Sequence, residues 1–255
     1  HITGGLHPSK DMAWYAALFR QIRSRFPSVH IKALTAEEID YLARRDHSSP
    51  EKVLTELILA GLQSIPGGGA EIFHPEVRNR ICPEKITGER WLEVHAIAHR
   101  LGITSNATML FGHVEKLEHR IHHLHMLREL QDKTRGFYAF IPLKYRSAHN
   151  KMSQIGETSF FDVVKTFAIA RIFLDNIPHL KAYWPMIGKE HAALMLHFGA
   201  DDLDGTIHDS TRIYTMAGAE EQHPSLTPHE IESLIEREGF KAVERNSKYE
   251  MIKES

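Results

Sequence analysis

The stretch Ser105-Asn-Ala-Thr-Met-Leu-Phe-Gly-His-Val-Glu115 decides the fold of this 255-residue chain. It follows an apolar segment, Leu101 to Thr104, that predicts a buried strand, and a long helical pattern begins near residue 113. A strand, a polar tip and a helix form the repeating unit of a parallel (β/α) barrel, in which the carboxyl ends of the strands carry the chemistry. The stretch therefore predicts a barrel and places its own polar residues at the mouth.

The same order of elements recurs along the chain. Apolar strand-like segments alternate with helical patterns about seven times between residue 1 and residue 206. This alternation predicts the α/β class and a TIM-type (β/α) barrel over residues 1–206, incomplete at its N-terminus. Residues 207–255 are predicted to form a helical extension packed on the barrel, with helices over 209–218 and 227–238.

Several helix starts carry their own signals. Thr35-Ala-Glu-Glu38 has the spacing of a capping box, in which the hydroxyl and the carboxylate satisfy each other's backbone amides. Ser9 and Thr87 are predicted as N-caps, and a further helix is predicted to start near Ser49-Pro50. Between these helices, the polar segment from Glu76 to Lys85 is predicted to be irregular.

Composition limits the classes of protein to which the chain can belong. Hydrophobic residues make up 42% and charged residues 25% of the chain, which is typical of a soluble globular protein. The net charge of −2 gives no basic footprint for nucleic acid. No apolar run approaches the roughly 20 residues that a membrane span needs. Cys82 is the only cysteine, so an internal disulfide is excluded and a cytoplasmic protein is expected.

The start of the chain has an unusual form. His1-Ile-Thr-Gly-Gly-Leu-His-Pro8 begins without Met, and Ile2-Thr3 looks like the end of a strand. We therefore expect the natural N-terminus to be absent. Gly4 and Gly5 would form the tip of that strand, where they serve either as a plain turn or as a place for close approach of a ligand to the backbone.

Two further segments allow both a functional and a structural interpretation. Gly67, Gly68 and Gly69 precede Glu71, and such a loop either presents amides and a carboxylate to a ligand or is a flexible connector. Arg120 follows Glu115 and Glu118, so it either holds a ligand carboxylate or forms a surface ion pair. Cys82 is interpreted as a buried small hydrophobic residue, which is the common role of a lone cysteine.

Histidine is abundant, with 19 residues. His95 and His99 lie four apart on one predicted helix, a spacing that can bind a metal, but no Glu-x-x-His signature accompanies them, so packing or solvation is expected. A second group points in several directions around the next helix, and we expect it to form a solvated face; its members are His119, His122, His123 and His125. No residue is predicted as a metal ligand.

The motifs together resemble a known family. They are His1-Ile-Thr-Gly-Gly-Leu-His-Pro8, Lys32-Ala-Leu-Thr-Ala-Glu-Glu-Ile39, Ser64-Ile-Pro-Gly-Gly-Gly-Ala-Glu-Ile-Phe73, the stretch from Ser105 to Glu115, Leu130-Gln-Asp132 with Phe137-Tyr-Ala-Phe-Ile-Pro-Leu143, Leu174-Asp-Asn-Ile-Pro-His-Leu-Lys-Ala-Tyr-Trp184 and Gly199-Ala-Asp-Asp-Leu-Asp-Gly-Thr206. In order and over essentially the whole chain, they resemble the radical S-adenosylmethionine enzymes of the futalosine route to menaquinone.

Within that family, Ser105-Asn106, Leu110, Leu143 and the run His179 to Trp184 resemble the branch that forms aminofutalosine. The resemblance implies a transferase. A [4Fe–4S] cluster, supplied by an electron donor, reduces S-adenosylmethionine to a 5′-deoxyadenosyl radical. The radical adds to the enol-ether double bond of 3-[(1-carboxyvinyl)oxy]benzoate, and rearrangement with loss of the carboxyl carbon gives the product. No nucleic acid or membrane insertion is implied.

The resemblance also implies site residues. Those expected to contact S-adenosylmethionine are Gly4, Gly5, Glu71 and Arg120. Asn106 and Thr108 are expected to contact the substrate, and His113 is expected to be catalytic, either in proton transfer or by holding a substrate carboxylate.

The chain departs from the family in one respect. The family binds its cluster through a Cys-x3-Cys-x2-Cys loop that lies upstream of the glycine pair, whereas Cys82 is the only cysteine here. We therefore expect the chain alone to bind no cluster and to be an inactive piece of the enzyme.

Three alternatives remain at the level of sequence. The nearest is the sister branch, dehypoxanthine futalosine cyclase, which abstracts a hydrogen atom instead of adding the radical. The second is a histidine-rich metal-dependent hydrolase barrel, for which only His113, His179 and scattered acids are available as ligands. The third is a binding protein that keeps the barrel without catalysis.

Overall fold

The computed structural model describes residues 1–148, 150–205 and 225–252. Helices occupy much of these residues and are numbered in chain order. They are α1 (Met12–Arg25), α2 (Ala36–Arg45), α3 (Pro50–Leu59), α4 (Pro75–Ile81), α5 (Gly88–Arg100), α6 (Leu117–Thr134), α7 (Phe160–Phe173), α8 (Trp184–Ile187), α9 (Lys189–Leu194) and α10 (Pro228–Arg237). Short 3-10 turns lie at Ser153–Ile155 and Met195–Phe198.

Five strands form one sheet in chain order. They are β1 (Ser64–Ile65), β2 (Thr104–Phe111), β3 (Phe137–Lys144), β4 (His179–Tyr183) and β5 (Asp202–Asp204). β1 pairs with β2 in parallel, with Ser64 opposite Thr104, and β4 pairs with β5 in parallel, with Lys181 opposite Asp202. Parallel neighbours in chain order, joined by helices, are the arrangement of a (β/α) fold.

Two parallel bridges continue this pattern toward the N-terminus. Ile2 is bridged to Ala33, and Lys32 is bridged to Ser64. In the described residues up to 205, these bridged segments and the five strands give seven β segments, which is the number that the sequence predicts for residues 1–206. The prediction of a partial TIM-type α/β fold is confirmed.

The contacts divide the chain into two compact units. The first contains His1–Met109, Glu115–Phe140 and Phe173–Pro178; the second contains Leu110–Val114, Ile141–Ile172 and His179–Ser255. The border predicted between residues 206 and 207 and the helix predicted over 209–218 lie outside the described residues, so both stay predictions.

Most helix starts follow the predicted chemistry. The Thr35 hydroxyl and the Glu38 carboxylate form the expected capping box, and Ser49 and Thr87 cap α3 and α5. Ser9 was predicted to cap α1, but this prediction is wrong, since the Asp11 Oδ1 accepts from the Trp14 amide at 2.8 Å. A carboxylate next to the positive end of a helix is a stronger acceptor than a hydroxyl.

The strand that contains the first part of the stretch from Ser105 to Glu115, β2, begins later in the chain than predicted. Residues 101–103 form the turn after α5, with Gly102 at a φ of 83°, and β2 starts at Thr104. Asn106 and Thr108 consequently lie within the strand and not at its tip. The next helix starts at Leu117, four residues after the predicted start near 113.

One predicted irregular segment is helical. Pro75–Ile81 forms α4, because Pro75 starts the helix and Val77 and Arg78 are buried. None of the helices in the described ranges is long and apolar enough to cross a membrane.

Candidate functional site

In the first unit, Glu38 fixes the backbone of the glycine pair, Gly4 and Gly5, and the space beside the two Cα atoms is open. The Gly4 amide donates to the Glu38 Oε1 at 2.9 Å, and the Glu38 Oε2 accepts from the Thr35 amide at 2.7 Å. Glu38 is 4% exposed, so this buried carboxylate ties the residue after the first β segment to the residue before α2. A Cβ atom added to Gly4 or Gly5 would meet no described atom within 4 Å. The backbone of the pair is therefore accessible to a ligand.

The glycine-rich loop after β1 rests directly on β2. A Cβ atom at Gly67 would lie 2.6 Å from the Asn106 carbonyl oxygen, a distance that only glycine avoids. The Thr108 hydroxyl donates to the Gly67 carbonyl at 2.6 Å. Thr108 thus positions the loop, a role that the sequence alone does not indicate.

Arg78 holds the remainder of this loop. Its guanidinium donates to the carbonyls of Gly69 at 3.0 Å and Ala70 at 2.6 Å, and it pairs with Glu37 at 3.3 Å. Burial raises the pKa of Glu37 above its ordinary value, although the Ile86 amide and Arg78 oppose that shift. The Trp91 indole donates to the Gly68 carbonyl at 3.1 Å. The loop is therefore a fixed structure and not a flexible connector.

Arg78 and Glu37 were not singled out from the sequence. The available signal was an arginine in a polar segment whose helical character the prediction missed. In α4, Arg78 is buried next to buried Val77, so its charge must be satisfied inside the protein.

Asn106 differs from its polar neighbours because its side chain has no hydrogen-bond partner among the described residues, although the residue is only 6% exposed. A primary amide offers two donor hydrogens and one acceptor oxygen. Neither of its amide atoms belongs to the fully buried polar atoms that lack a partner, so both amide groups are open to water or to a ligand.

Glu71 follows the glycine-rich loop in a left-handed conformation, with a φ of 47°. Its Oε1 pairs with the Lys85 Nζ at 2.6 Å. Burial acts to lower the pKa of Lys85, but the Glu71 carboxylate outweighs it and raises that pKa above its ordinary value. Glu71 is therefore held as one half of an ion pair, and a ligand would meet a carboxylate that is already oriented.

Arg120 also forms an ion pair. Its Nε and Nη2 each lie 2.8 Å from the Glu115 Oε1, and the Glu115 side chain is fully buried. Of the two interpretations open for Arg120, the structure therefore contains the ion pair, which fixes the orientation of the guanidinium.

His113 belongs to the second unit. It lies after Gly112, whose φ is 89°, and its Nε2 is 3.0 Å from the Leu110 carbonyl oxygen. Its ring meets the Tyr145 ring edge-on, with centroids 6.0 Å apart. The contact with a carbonyl oxygen requires a hydrogen on Nε2, so the neutral ring keeps its lone pair on Nδ1.

The solvated face predicted for the histidines of α6 is correct for His125, which is exposed, but wrong for His119 and His123. His119 is 5% exposed, and His123 is fully buried and stacks on Phe73. The His123 Nδ1 accepts from the Phe73 amide at 3.2 Å, and its Nε2 lies 2.9 Å from the Thr108 carbonyl oxygen. Burial lowers the pKa of His123 to about 3. Apolar and aromatic neighbours, which the helical pattern did not reveal, enclose this face.

The chain's own residues do not fit an iron–sulfur cluster. Such a cluster needs several thiolates, and Cys82 is the only cysteine. Its thiol is buried, and burial raises its pKa to about 11, so it stays protonated at neutral pH. The structural role predicted for Cys82 agrees with this environment.

Comparison with known sequences gives a consistent set of relatives. Residues 134–255 match the family described as the CofH/MqnC C-terminal region. An aminodeoxyfutalosine synthase of Thermus thermophilus is 42% identical over 257 residues, which cover 99% of this chain and 68% of that protein. A cyclic dehypoxanthine futalosine synthase of Streptomyces coelicolor is 40% identical over 249 residues, covering 98% of this chain and 61% of that protein.

Solved structures share the fold at low identity. Methylornithine synthase superposes with a TM-score of 0.62 at 13% identity, covering 92% of this chain and 64% of that one. HydG, a maturase of the [FeFe]-hydrogenase, superposes with a TM-score of 0.60 at 12% identity, covering 91% of this chain and 57% of that one. The chain thus spans less than two thirds of both structures, and the likeness concerns the fold alone.

Proposed function

The chain belongs to the family that includes aminodeoxyfutalosine synthase, and from this premise we propose that it serves, as a radical S-adenosylmethionine enzyme, the synthesis of aminodeoxyfutalosine in menaquinone biosynthesis. The proposed reaction adds the 5′-deoxyadenosyl group of S-adenosylmethionine to 3-[(1-carboxyvinyl)oxy]benzoate. The observation that carries this proposal is the 42% identity to an aminodeoxyfutalosine synthase over 99% of the chain. The proposed setting is the cytoplasm, with an electron donor as partner.

The glycine pair is the proposed contact for the amine of S-adenosylmethionine. The Gly4 amide is already used by Glu38, so the backbone groups that remain for an ammonium are carbonyl oxygens. An ammonium group has three donor hydrogens and no acceptor, and carbonyl oxygens suit it. Glu38 supports this role because it fixes the peptide before the open side of Gly4 and Gly5.

Glu71 and Arg120 are proposed to bind the ribose or amine and the methionine carboxylate, respectively. Both side chains are oriented in advance, Glu71 by Lys85 and Arg120 by Glu115. A pre-oriented group loses less conformational entropy when a ligand arrives, which increases affinity. A guanidinium also matches the two oxygens of a carboxylate.

Asn106 is the proposed contact for the benzoate substrate. The residue is largely buried, its amide has no hydrogen-bond partner among the described residues, and the amide can donate to a carboxylate oxygen. Thr108 is assigned a positioning role in addition to the expected substrate contact, since its hydroxyl donates to Gly67. His113 is proposed to hold or move a proton, for which the neutral ring offers one lone pair and one N–H group.

None of these assigned residues is proposed to bind the iron–sulfur cluster. A [4Fe–4S] cluster supplies the electron that cleaves S-adenosylmethionine in enzymes of this kind, and this chain's residues do not fit one. The proposal therefore gives these residues the tasks of binding and orienting the reactants and of excluding water from them.

Binding to the purified chain tests the proposal. We expect 3-[(1-carboxyvinyl)oxy]benzoate to bind at least about tenfold more tightly than dehypoxanthine futalosine in calorimetric titrations. The Asn106→Ala variant should lose about tenfold in affinity for the enol ether, which corresponds to one hydrogen bond. Asn79→Ala, at an exposed position of α4, is the matched control and should bind as the unmodified chain does.

The second candidate is cyclic dehypoxanthine futalosine synthesis, which the 40% identity to such an enzyme favours. Tighter binding of dehypoxanthine futalosine in the same titrations would replace the first proposal with this one. Equal affinity of Asn106→Ala and the unmodified chain for the enol ether would remove Asn106 from the site.

A further inference from the structure

A group of side chains outside the proposed active site has the composition of a metal centre. His74, Glu76 and His119 each offer one ligand atom, and these atoms lie within 4.8 Å of one another. His74 directly precedes α4, Glu76 lies in its first turn, and His119 lies in the first turn of α6. The three residues converge although His74 and His119 lie on segments that are distant in the chain, at the starts of α4 and α6.

The histidine rings of this group are packed against each other. The His74 and His119 rings stack with centroids 4.5 Å apart, and the His122 ring meets that of His74 edge-on at 5.4 Å. The Nδ1 atoms of His74 and His122 are buried, and no described residue forms a hydrogen bond with either of them. Two unsatisfied nitrogens at one place are unfavourable in an ordinary protein interior.

We propose that His74, Glu76 and His119 form a binding site for a divalent transition metal of the Zn²⁺ type. Two imidazoles and one carboxylate are a common protein ligand set for Zn²⁺, and they leave a fourth position for water. Imidazole ligands favour such metals over Mg²⁺ or Ca²⁺. Glu76 is exposed and His74 is half-buried, so an ion can enter from solvent. The proposal does not depend on the proposed enzymatic function.

Metal binding would change the start of α6. The His119 Nδ1 accepts from the Lys116 amide at 3.1 Å, which closes the N-terminus of this helix. A neutral imidazole has one lone pair. If Nδ1 binds the metal, that lone pair is occupied; if Nε2 binds it, Nδ1 carries the hydrogen. In both cases the Lys116 amide loses its acceptor, so metal binding and this cap exclude each other.

A titration of the metal-free chain with Co²⁺ tests the proposal, because Co²⁺ gives a visible ligand-field absorption when three protein ligands hold it. We expect one equivalent of Co²⁺, displaced by Zn²⁺. Glu76→Gln and His74→Gln should each weaken binding by at least about tenfold, the loss that even an outer partner of a metal ligand produces. Glu76 is exposed, so its replacement leaves folding intact.

His125→Ala is the matched control, since His125 lies on the same helix and is exposed. It should bind Co²⁺ as the unmodified chain does. In addition, Zn²⁺ should accelerate hydrogen exchange of the Lys116 amide. The proposal is overturned if Glu76→Gln and His74→Gln bind with unchanged affinity, or if His125→Ala weakens binding as much as they do, which would indicate scattered binding to a histidine-rich surface.

Discussion

Two histidine groups of the first unit have the same residue type and opposite environments. His95 and His99 on α5 are joined by Ser105 of β2, whose Oγ lies 2.8 Å from the His95 Nδ1 and 2.8 Å from the His99 Nε2. Among the described residues, the group of His74, His119 and His122 contains two buried nitrogens without a partner, whereas the first group contains one, the His95 Nε2. We call the first the closed group and the second the open group. The difference teaches that a hydrogen-bonded link between the rings, such as the Ser105 hydroxyl provides, and not the spacing of histidines, separates a structural group from a candidate site.

The hydrogen positions of the closed group follow from one carbonyl. The Thr134 hydroxyl donates to the Leu130 carbonyl at 2.9 Å, so it must accept from the His99 Nδ1 at 2.8 Å. The His99 Nε2 then carries the lone pair and accepts from the Ser105 hydroxyl. Ser105 in turn accepts from the His95 Nδ1. A single order of donors therefore runs through the whole closed group.

The closed group should make the protein sensitive to acid, which is the largest effect that we expect. Burial lowers the pKa of His99 to about 4 and that of His95 well below its ordinary value. Above pH 6.5 both histidines are neutral in the folded and unfolded states. Below that pH the unfolded chain binds protons that the folded chain excludes. The lowered pKa of His99 alone should then reduce the free energy of unfolding by about 1.4 kcal/mol per pH unit, or by roughly 2 kcal/mol at pH 5.

Urea unfolding between pH 7 and pH 5 measures this loss. His99→Asn removes one titrating group. The slope of the free energy of unfolding against pH should therefore decrease by the contribution of about one proton. An equal slope for His99→Asn and the unmodified chain would mean that the closed group is not the source of acid sensitivity.

Removing the hydroxyl that joins the closed group should have the next largest effect. Ser105→Ala leaves the His95 Nδ1 and the His99 Nε2 buried without their partner, which should cost about 2 kcal/mol of unfolding free energy at pH 7. Ser9→Ala is the control, because the Ser9 hydroxyl meets the His7 Nδ1 at 3.2 Å in an exposed position. The control should change stability by less than about 0.5 kcal/mol in the same urea measurement. Similar losses for both variants would argue that burial of the serine is unimportant.

The open group should contribute least to stability. His122→Ala removes a ring whose buried Nδ1 has no partner, so we expect a change within about 0.5 kcal/mol in metal-free solution. A loss of unfolding free energy as large as that of Ser105→Ala would contradict the distinction between the two groups, because it would show that the open group also stabilises the fold.

Much of the fold could be predicted from local sequence. Thr35 with Glu38, Ser49 with Pro50 and Thr87 give the starts of three helices, since capping depends on residues within one turn. The seven β segments follow from the alternation of apolar runs and helical patterns. Local signals failed where two acceptors competed, as for Ser9 and Asp11.

Boundaries inside the central stretch could not be predicted in the same way. Ser105, Asn106 and Thr108 are polar, and polar residues usually end a buried strand. Here Ser105 has histidine partners, and Thr108 donates to Gly67, so β2 continues through them. Partners that come from distant parts of the chain decided where the strand ends.

The candidate site shows the same limit. The sequence directed attention to Gly4, Glu71 and Arg120, and resemblance suggested their roles. The partners Glu38 of Gly4 and Lys85 of Glu71 emerged only from the structure, whereas the pairing of Arg120 with Glu115 was one of the two interpretations that the sequence left open. An ion pair between distant residues leaves no spacing that a single sequence can reveal.

By itself the sequence determined the α/β class, the order of the β segments and the family resemblance, because periodicity and motifs are properties of neighbouring residues. Only the tertiary structure decided which polar groups are satisfied. Asn106 and the open histidine group are distinguished from Ser105 and the closed group by their partners. Those partners come from segments that meet through packing, and the free energy of burying a polar group depends on that meeting.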